Sequence, residues 1–340
     1  MVPGRGQGEF SPPRARVDAR AATERARQAD PCPPGVTPLA VVIVTYNSAA
    51  VLPQLLSSLQ FGLVDVPDCN VIVVDNASSD DSVEIAARHQ LQPRIIETGR
   101  NGGYAAGINA ALATVGTESD VLLLNPDIRV SRSAISCLQH RLGPETGVVA
   151  PRILNEDGTL SLSVRREPSL MAAWAEAILG GTLSARLDIG EVVSGTRVYN
   201  RGGAVDWTTG AILMISGRAR ELVPQWDESF FLYSEEVDFM RRVRQAGLKI
   251  AYVPEATATH IGGDTRANPF LFALCATNRV VDFARHHGRA ATVLFHLAVL
   301  VGEGIRCWRG PEHRAAFKAL RTMSRTFPAF SEQRSQQCPS

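Results

Sequence analysis

Residues 231–247 read FLYSEEVDFMRRVRQAG, an aromatic cluster followed by three carboxylates in four positions (Glu235, Glu236, Asp238) and then Arg241, Arg242 and Arg244. Two chemistries fit this spacing. Acids in a helix's first turn and arginines in its last favour the macrodipole, and Asp238 with Arg242 has the i,i+4 spacing of an ion pair. Alternatively, one carboxylate held at the mouth of a cleft acts as a general base. Other polar groups fall where apolar runs end. Thr45-Tyr46-Asn47-Ser48 follows LAVVIV, and Asp75-Asn76-Ala77-Ser78-Ser79-Asp80 follows NVIVV. An aspartate there can accept hydrogen bonds from a ribose or a base N–H, or it can simply start a turn before a capped helix. GRNGGYAAGINAAL (99–112) places Asn101 and Gly103 at a glycine-rich helix entry, where backbone N–H groups can approach a nucleotide; such glycines also make ordinary turns. VLLLNPD ends in Asn125-Pro126-Asp127. Hard ions such as Mg²⁺ or Mn²⁺ take one or two carboxylates plus phosphate oxygens and water, so Asp127 is a candidate ligand, with a plain turn as the alternative. His260, in ATATHIGGD just past the expected strand KIAYV, could supply a further metal ligand, touch a diphosphate, or be structural. Trp207 could hold a sugar by CH contacts or sit in a core.

The elements that must position these groups alternate. Short apolar, mostly β-branched runs at 39–44, 70–74, 94–97 and 121–124 are separated by helical patterns near 49–60, 81–89 and 104–114. This predicts an α/β fold with a Rossmann-like, mostly parallel sheet whose strand ends carry a ligand. A dinucleotide-binding redox fold needs Gly-x-Gly-x-x-Gly after the first strand, and TYNSAA contains no glycine. From 147 the pattern becomes mixed: the turn NEDG (155–158), an apolar helix around 169–180, one strand over 204–216, then helices over roughly 269–288 and 290–325. The expected organisation is a tail over 1–38, a core domain over 39–265 with a first half over 39–130 and a mixed second half over 147–265, and C-terminal helices over 266–340.

The 340 residues, 45% hydrophobic and 20% charged with a net charge of +1, describe a core-forming protein and argue against a nucleic-acid binder resting on many phosphate contacts. Between Arg279 and Arg325, nine basic residues face three acids, a local +6 that points to an anionic partner surface. Six scattered cysteines without a Cys-x-x-Cys pair predict neither a zinc site nor a disulfide framework and fit a reducing cytoplasm. The first 38 residues, with seven prolines and six arginines and no apolar run, are expected to be disordered and to form neither signal peptide nor anchor.

Taken in order, VVIVTYNS, VVDNASSDDS, RNGGYAAGINAAL, LLLNPD, VDWTTGAILMISGRA, WDESFFLYSEEVDFMRRVRQAG and ATATHIGG resemble glycosyltransferase family 2, especially its bacterial rhamnosyltransferase-like branch, over roughly residues 39–265. The resemblance implies an A-type glycosyltransferase fold, a nucleotide-sugar donor (dTDP-rhamnose in this branch), Mg²⁺ or Mn²⁺, and inversion at the anomeric carbon. It implies nucleotide-sugar contacts from Thr45, Tyr46, Asn47, Asp75, Asn101, Gly103 and Asn125, metal ligation by Asp127 and His260, and acceptor contacts from Glu235, Asp238 and Trp207. Asn125-Pro126-Asp127 stands where the wider family has Asp-x-Asp. The second acid of the family's Glu-Asp motif, the base, falls on Glu236; the glutamate is one methylene longer than aspartate, which keeps Asp238 as the other candidate. The implied acceptor is a glycan or a polyprenyl-diphosphate-linked sugar, reached by peripheral attachment to the inner membrane face in cell-wall or surface polysaccharide synthesis. A catalytically silent nucleotide-sugar-binding or assembly subunit is the competing reading. Retention of Asp75, Asp127, the acid cluster and His260 together speaks against it.

Overall fold

The computed structural model describes residues 38–66, 68–262 and 268–323. All but the last residue of the expected tail over 1–38 therefore lies outside the described residues, as does the chain beyond 323. The first half alternates as the sequence predicts: β1 (Leu39–Thr45), α1 (Leu52–Gly62), β2 (Cys69–Asp75), α2 (Ser82–Arg88), β3 (Arg94–Glu97), α3 (Tyr104–Leu112) and β4 (Asp120–Leu124). All seven residues of β1 are buried, because the sheet is covered on both faces and an uninterrupted apolar strand fits only there. Val41 and Ile43 point to one face, where Leu52, Leu55, Leu56 and Leu59 of α1 pack. Ala40, Val42 and Val44 point to the other, against Ala105, Ile108 and Ala111 of α3.

The second half continues with β5 (Ile128–Val130), α4 (Ala134–Arg141), β6 (Thr146–Asn155), β7 (Val164–Arg165), α5 (Leu170–Leu179), α6 (Gly181–Arg186) and α7 (Thr196–Arg201). Then follow β8 (Gly203–Val205), β9 (Trp207–Thr208), β10 (Ile212–Ile215), α8 (Gly217–Leu222), α9 (Glu235–Gln245) and β11 (Lys249–His260). It shares the sheet of the first half, in the order β3-β2-β1-β4-β10-β6-β11-β5, with β8 beside β11. β10 runs antiparallel to β4, and β11 pairs parallel with β6 and antiparallel with β5. Val237, Met240 and Val243 of α9 pack into the same core as α3, so the helix carrying the acids is fixed to the sheet by its apolar face.

Three expectations change. The single strand expected over 204–216 is three short strands with different partners: β8 on β11, β9 on β7, and β10 between β4 and β6. The helix expected over 290–325 is two, α11 (Arg289–Arg306) and α12 (Pro311–Met323), interrupted before Pro311, which cannot continue a helix bonded to residue 307. The boundary expected at 266 does not separate packing units. Helix α10 (Pro269–His286) forms a third core with α5, α11 and α12, and its Asp282 makes a buried bidentate ion pair with Arg241 of α9 at 2.6 and 2.7 Å.

Candidate active site

The parallel register sets Thr45 beside Asp75 at the ends of β1 and β2. The Thr45 hydroxyl donates to Asp75 Oδ1 at 3.0 Å, and Ser78 donates its N–H to Oδ2 at 2.8 Å and its hydroxyl to Oδ1 at 2.5 Å. Thr45 is fully buried, so the nucleotide contact expected of it is corrected: it orients Asp75 and presents nothing to a ligand. Asp75 retains a free lone pair on Oδ2, since a carboxylate oxygen accepts two hydrogen bonds. Asn47 adopts φ of +50°, and its side-chain carbonyl accepts from the Ser79 N–H at 2.8 Å and the Ser79 hydroxyl. Asp80 accepts from the Ala49 N–H at 2.9 Å. The two loops are stitched into one rim, above which Tyr46 stands exposed as the aromatic face available to a planar ligand.

The glycine-rich entry does something other than what its composition predicts. Gly103 has φ of +92°, a conformation that favours glycine, and a Cβ there would overlap the Phe231 carbonyl oxygen. The Tyr104 N–H donates to that same carbonyl at 2.8 Å. Gly103 thus lets α3 dock the loop before the acid cluster, a close approach of two backbones that its composition did not predict. Asn101 accepts from the Gly103 N–H at 3.1 Å and shapes the turn.

At the next strand end, the Asn125 N–H donates to the Ala211 carbonyl at 2.9 Å, which seats the Asn-Pro-Asp turn beside the start of β10. Asp127 faces His260 because Ile128 pairs with His260 where β5 meets β11; His260 is the last residue of that strand, not a residue beyond it. His260 Nε2 lies 3.0 Å from Asp127 Oδ2, while Asp127 Oδ1 is buried with no hydrogen-bond partner. Any side chain at Gly262 would overlap Asp127 Oδ2, so the glycine leaves the carboxylate its place. A cavity of about 470 Å³ opens here, lined by Asn155, Glu156, Asp157, His260, Ile261 and Gly262. A buried, unpaired carboxylate oxygen beside an imidazole suits a divalent cation, and two protein ligands leave room for phosphate oxygens and water. The residues present therefore fit the metal that the resemblance implies.

The acid cluster begins in an unusual backbone. Phe231, Tyr233 and Ser234 have φ of +62°, +68° and +73°, and none is glycine. Such residues cost of order 1–3 kcal/mol each and persist only where their surroundings over-determine them. Asn278 of α10 supplies that constraint: its side-chain amide donates to the carbonyls of Phe230, Leu232 and Tyr233 at 2.9, 2.9 and 3.2 Å. The loop is thereby held between α3 on one side and α10 on the other.

The three acids then diverge. Asp238 is buried, with Oδ2 paired to Arg242 Nη2 at 2.7 Å and Oδ1 3.7 Å from His286 Nε2. Burial alone would raise this carboxyl, but His286 and Arg242 outweigh it and hold it below the ordinary value. Asp238, Asp282 and His286 lie close enough to hold an ion. The arginines on both aspartates already neutralise them. Asp238 is therefore corrected as an acceptor contact, since its carboxylate is spent inside the protein, and a clamped carboxylate of low pKa is also the weaker base. Glu235 is 3% exposed, and burial followed by the adjacent Glu236 charge raises its carboxyl well above normal. Glu236 is pushed up to about 7, chiefly by burial with the Asp282 charge adding; the N–H groups of Ser234 and Glu236 and the Arg165 cation act against the shift. Its Oε2 is buried without a partner, and Gly210 lies against its side chain. Trp207, expected as a sugar platform, is buried instead and donates its indole N–H to the Arg166 carbonyl at 2.8 Å.

Tyr104 is a residue that the sequence reading did not single out. Its hydroxyl donates to the Gly210 carbonyl at 3.4 Å, and Gly210 lies against the Glu236 side chain. Burial, and then the charges of Glu235, Glu236 and Asp127, raise that hydroxyl well above the usual phenol range. Asn278 was missed as well. The available signal was a polar Asn278 and an acid Asp282 one turn apart, on the helix that also carries the apolar Ala276, Val280 and Phe283.

The glycosyl transferase family 2 profile matches residues 40–204, from β1 to β8. The N-acetylglucosaminyl-diphospho-decaprenol L-rhamnosyltransferase of Mycobacterium tuberculosis is 30% identical over 234 residues, covering 65% of this chain and 75% of that protein. The chain belongs to glycosyltransferase family 2. The low-salt glycan biosynthesis hexosyltransferase Agl10 of Haloferax volcanii is 29% identical over 228 residues, covering 65% of this chain and 66% of that protein. Among solved structures, the mannosyltransferase PcManGT of Pyrobaculum calidifontis, in complex with GDP-Man and Mn²⁺, superposes with a TM-score of 0.52 at 16% identity over 94% of this chain and 93% of that one. The fold is that of the A-type glycosyltransferases. Since the family profile stops at residue 204, the acid cluster, His260 and Asn278 of this family 2 glycosyltransferase all lie beyond the matched segment.

Proposed function

We propose that this glycosyltransferase transfers rhamnose from dTDP-rhamnose, with inversion, to a sugar carried on a polyprenyl diphosphate at the inner face of the cell membrane, in cell-wall or surface polysaccharide synthesis. One observation carries the chemistry: Glu236 is half-buried with its Oε2 enclosed and unpaired, and its carboxyl is pushed up to about 7. The relative named as acting on N-acetylglucosaminyl-diphospho-decaprenol supports the donor sugar and the acceptor class.

Glu236 Oε2 accepts the proton of the acceptor hydroxyl as that oxygen attacks the anomeric carbon, and the nucleoside diphosphate leaves from the opposite face. A base with pKa near ambient pH is both available and strong enough for this transfer. Asp75 uses its remaining lone pair to accept from the nucleoside, and Tyr46 lies against it. Glu235, whose carboxyl is raised by burial and by the Glu236 charge, favours the neutral form, which can donate a hydrogen bond and avoids a second charge beside Glu236. Asp127 and His260 would hold a magnesium or manganese ion, which when bound neutralises charge on the diphosphate.

The test is turnover of dTDP-rhamnose, UDP-N-acetylglucosamine and GDP-mannose with N-acetylglucosaminyl-diphospho-polyprenol as acceptor. Transfer from dTDP-rhamnose alone is expected. Transfer from another donor would overturn the rhamnose assignment, and binding of a donor without transfer under any condition would favour a silent assembly subunit.

A further inference from the structure

Helix α11 has a face that water does not explain. From Ala290 to Ile305 its only charged residue is Glu303, which turns away from that face and pairs with His313 of α12. The opposite, inner face packs Phe295, Val299 and Gly302 into the helical core. The outer face carries Leu294, Leu297, Val301 and Ile305 at spacings of three and four, all exposed. A helix lying on a protein surface normally turns charge to solvent, and between Ala290 and Ile305 this face turns none. The stripe continues onto the neighbouring helix, because Arg306 donates to the Ala177 carbonyl of α5 at 3.2 Å, next to Ile178, which is 68% exposed. It ends at Trp308, 77% exposed, with the Arg309 guanidinium 5.5 Å from its ring.

We infer that this face docks on an anionic phospholipid bilayer, with α11 lying along the surface. The charge pattern favours lipid as the occupant. Exposed Arg289 and Arg309 flank the stripe, placing a cation at each end of an uncharged apolar band, and a tryptophan beside an arginine suits the headgroup level. The helix is 18 residues, or about 27 Å, and no helix among the described residues is long and apolar enough to cross a membrane. The proposal rests on the lipid-linked acceptor proposed above and deepens it, since the docking helix is one layer from the reacting groups. Phe295 of α11 stacks on Phe283 of α10 at 4.0 Å, and α10 carries the Asn278 that clasps the acid loop.

The experiment floats the full chain on phosphatidylcholine vesicles with and without phosphatidylglycerol. Wild type is expected to float with the anionic vesicles. Leu297→Glu/Val301→Glu should lose that binding by about tenfold or more. Trp308→Glu, which alters a side chain outside the helix and outside every core, should weaken it in the same direction even if the double variant fails to fold. On a short-chain, water-soluble acceptor the Trp308→Glu enzyme should turn over within about twofold of wild type, while on acceptor embedded in vesicles it should fall by about tenfold. Equal flotation of wild type and Trp308→Glu would overturn the proposal. So would a wild-type dimer that Leu297→Glu/Val301→Glu dissociates and that does not float, because the face would then cover a second copy. Flotation of wild type without transfer from any nucleotide sugar would sink the proposed reaction and leave the docking face standing.

Discussion

Asp75 and Glu235 are both nearly inaccessible carboxylates, 2% and 3% exposed. Around Asp75, Thr45 and Ser78 supply three hydrogen bonds from two strand ends that the parallel register brings together. Around Glu235 and Glu236, Oε2 of each is buried with no partner, the backbone before them is left-handed at three non-glycine positions, and both carboxyls are raised. A buried polar group without a partner costs about 1–3 kcal/mol, so the acid cluster opposes folding where the Asp75 rim supports it. The restraint comes from outside the cluster, through Asn278, Gly103 and the Arg241–Asp282 pair. Groups satisfied within the fold hold a ligand's place, and groups left unsatisfied are available for proton transfer.

The comparison breaks most sharply at Glu236. Glu236→Gln should lower kcat by about 10² to 10⁴ with donor affinity and Tm unchanged or Tm raised, because only basicity is removed. In wild type, kcat/KM should fall as pH drops through about 7, where Glu236 takes up its proton, and a flat profile from pH 5 to 8 would assign the base elsewhere. Asp127→Asn or chelation should cost about 10² or more in turnover, and the variant should lose the Mn²⁺ signal bound by wild type in electron paramagnetic resonance. Full turnover in EDTA would remove the ion from the account.

Asn278→Ala tests the restraint. It leaves three carbonyls of a strained loop without their donor, so it should cost about 2–3 kcal/mol of stability and about tenfold or more in kcat, with donor Kd unchanged. Loss of donor binding would mean that the clamp holds the whole cleft and not the acid loop. Asp238→Asn should cost about 1–3 kcal/mol through the Arg242 and His286 contacts but only a few-fold in turnover. A dead Asp238→Asn enzyme beside an active Glu236→Gln would reverse the two roles. The smallest effect is on stability against pH. Because the folded Glu236 pKa lies above its unfolded value, its contribution is most favourable below the unfolded pKa and is lost as pH rises toward 7. The Tm advantage of Glu236→Gln over wild type should therefore grow between pH 5 and pH 8.

Much of the molecule was legible in one dimension. LAVVIV, NVIVV and VLLL, alternating with helical patterns, read as strands buried on both faces, and the polar residues ending them as one ligand-bearing sheet edge. That placed Asp75 and Asp127 at strand ends, and the spacing of Glu235, Glu236 and Asp238 allowed the first turn of a helix, which they occupy, as one of two readings. The spacing offered the Asp238–Arg242 pair, but which acid is free was not legible, because the deciding neighbours come from distant segments: His286 beside Asp238 and Gly210 beside Glu236. The three strands read as one over 204–216 mislead for the same reason, since local propensity specifies an extended backbone while partner choice depends on the rest of the sheet. Gly103 shows the limit most clearly. Its sequence context offers a nucleotide approach or an ordinary turn, and the tertiary structure decides that the space is taken by the Phe231 carbonyl of the acid loop, because the close approach of two backbone segments 128 residues apart is a property of the fold and not of either segment.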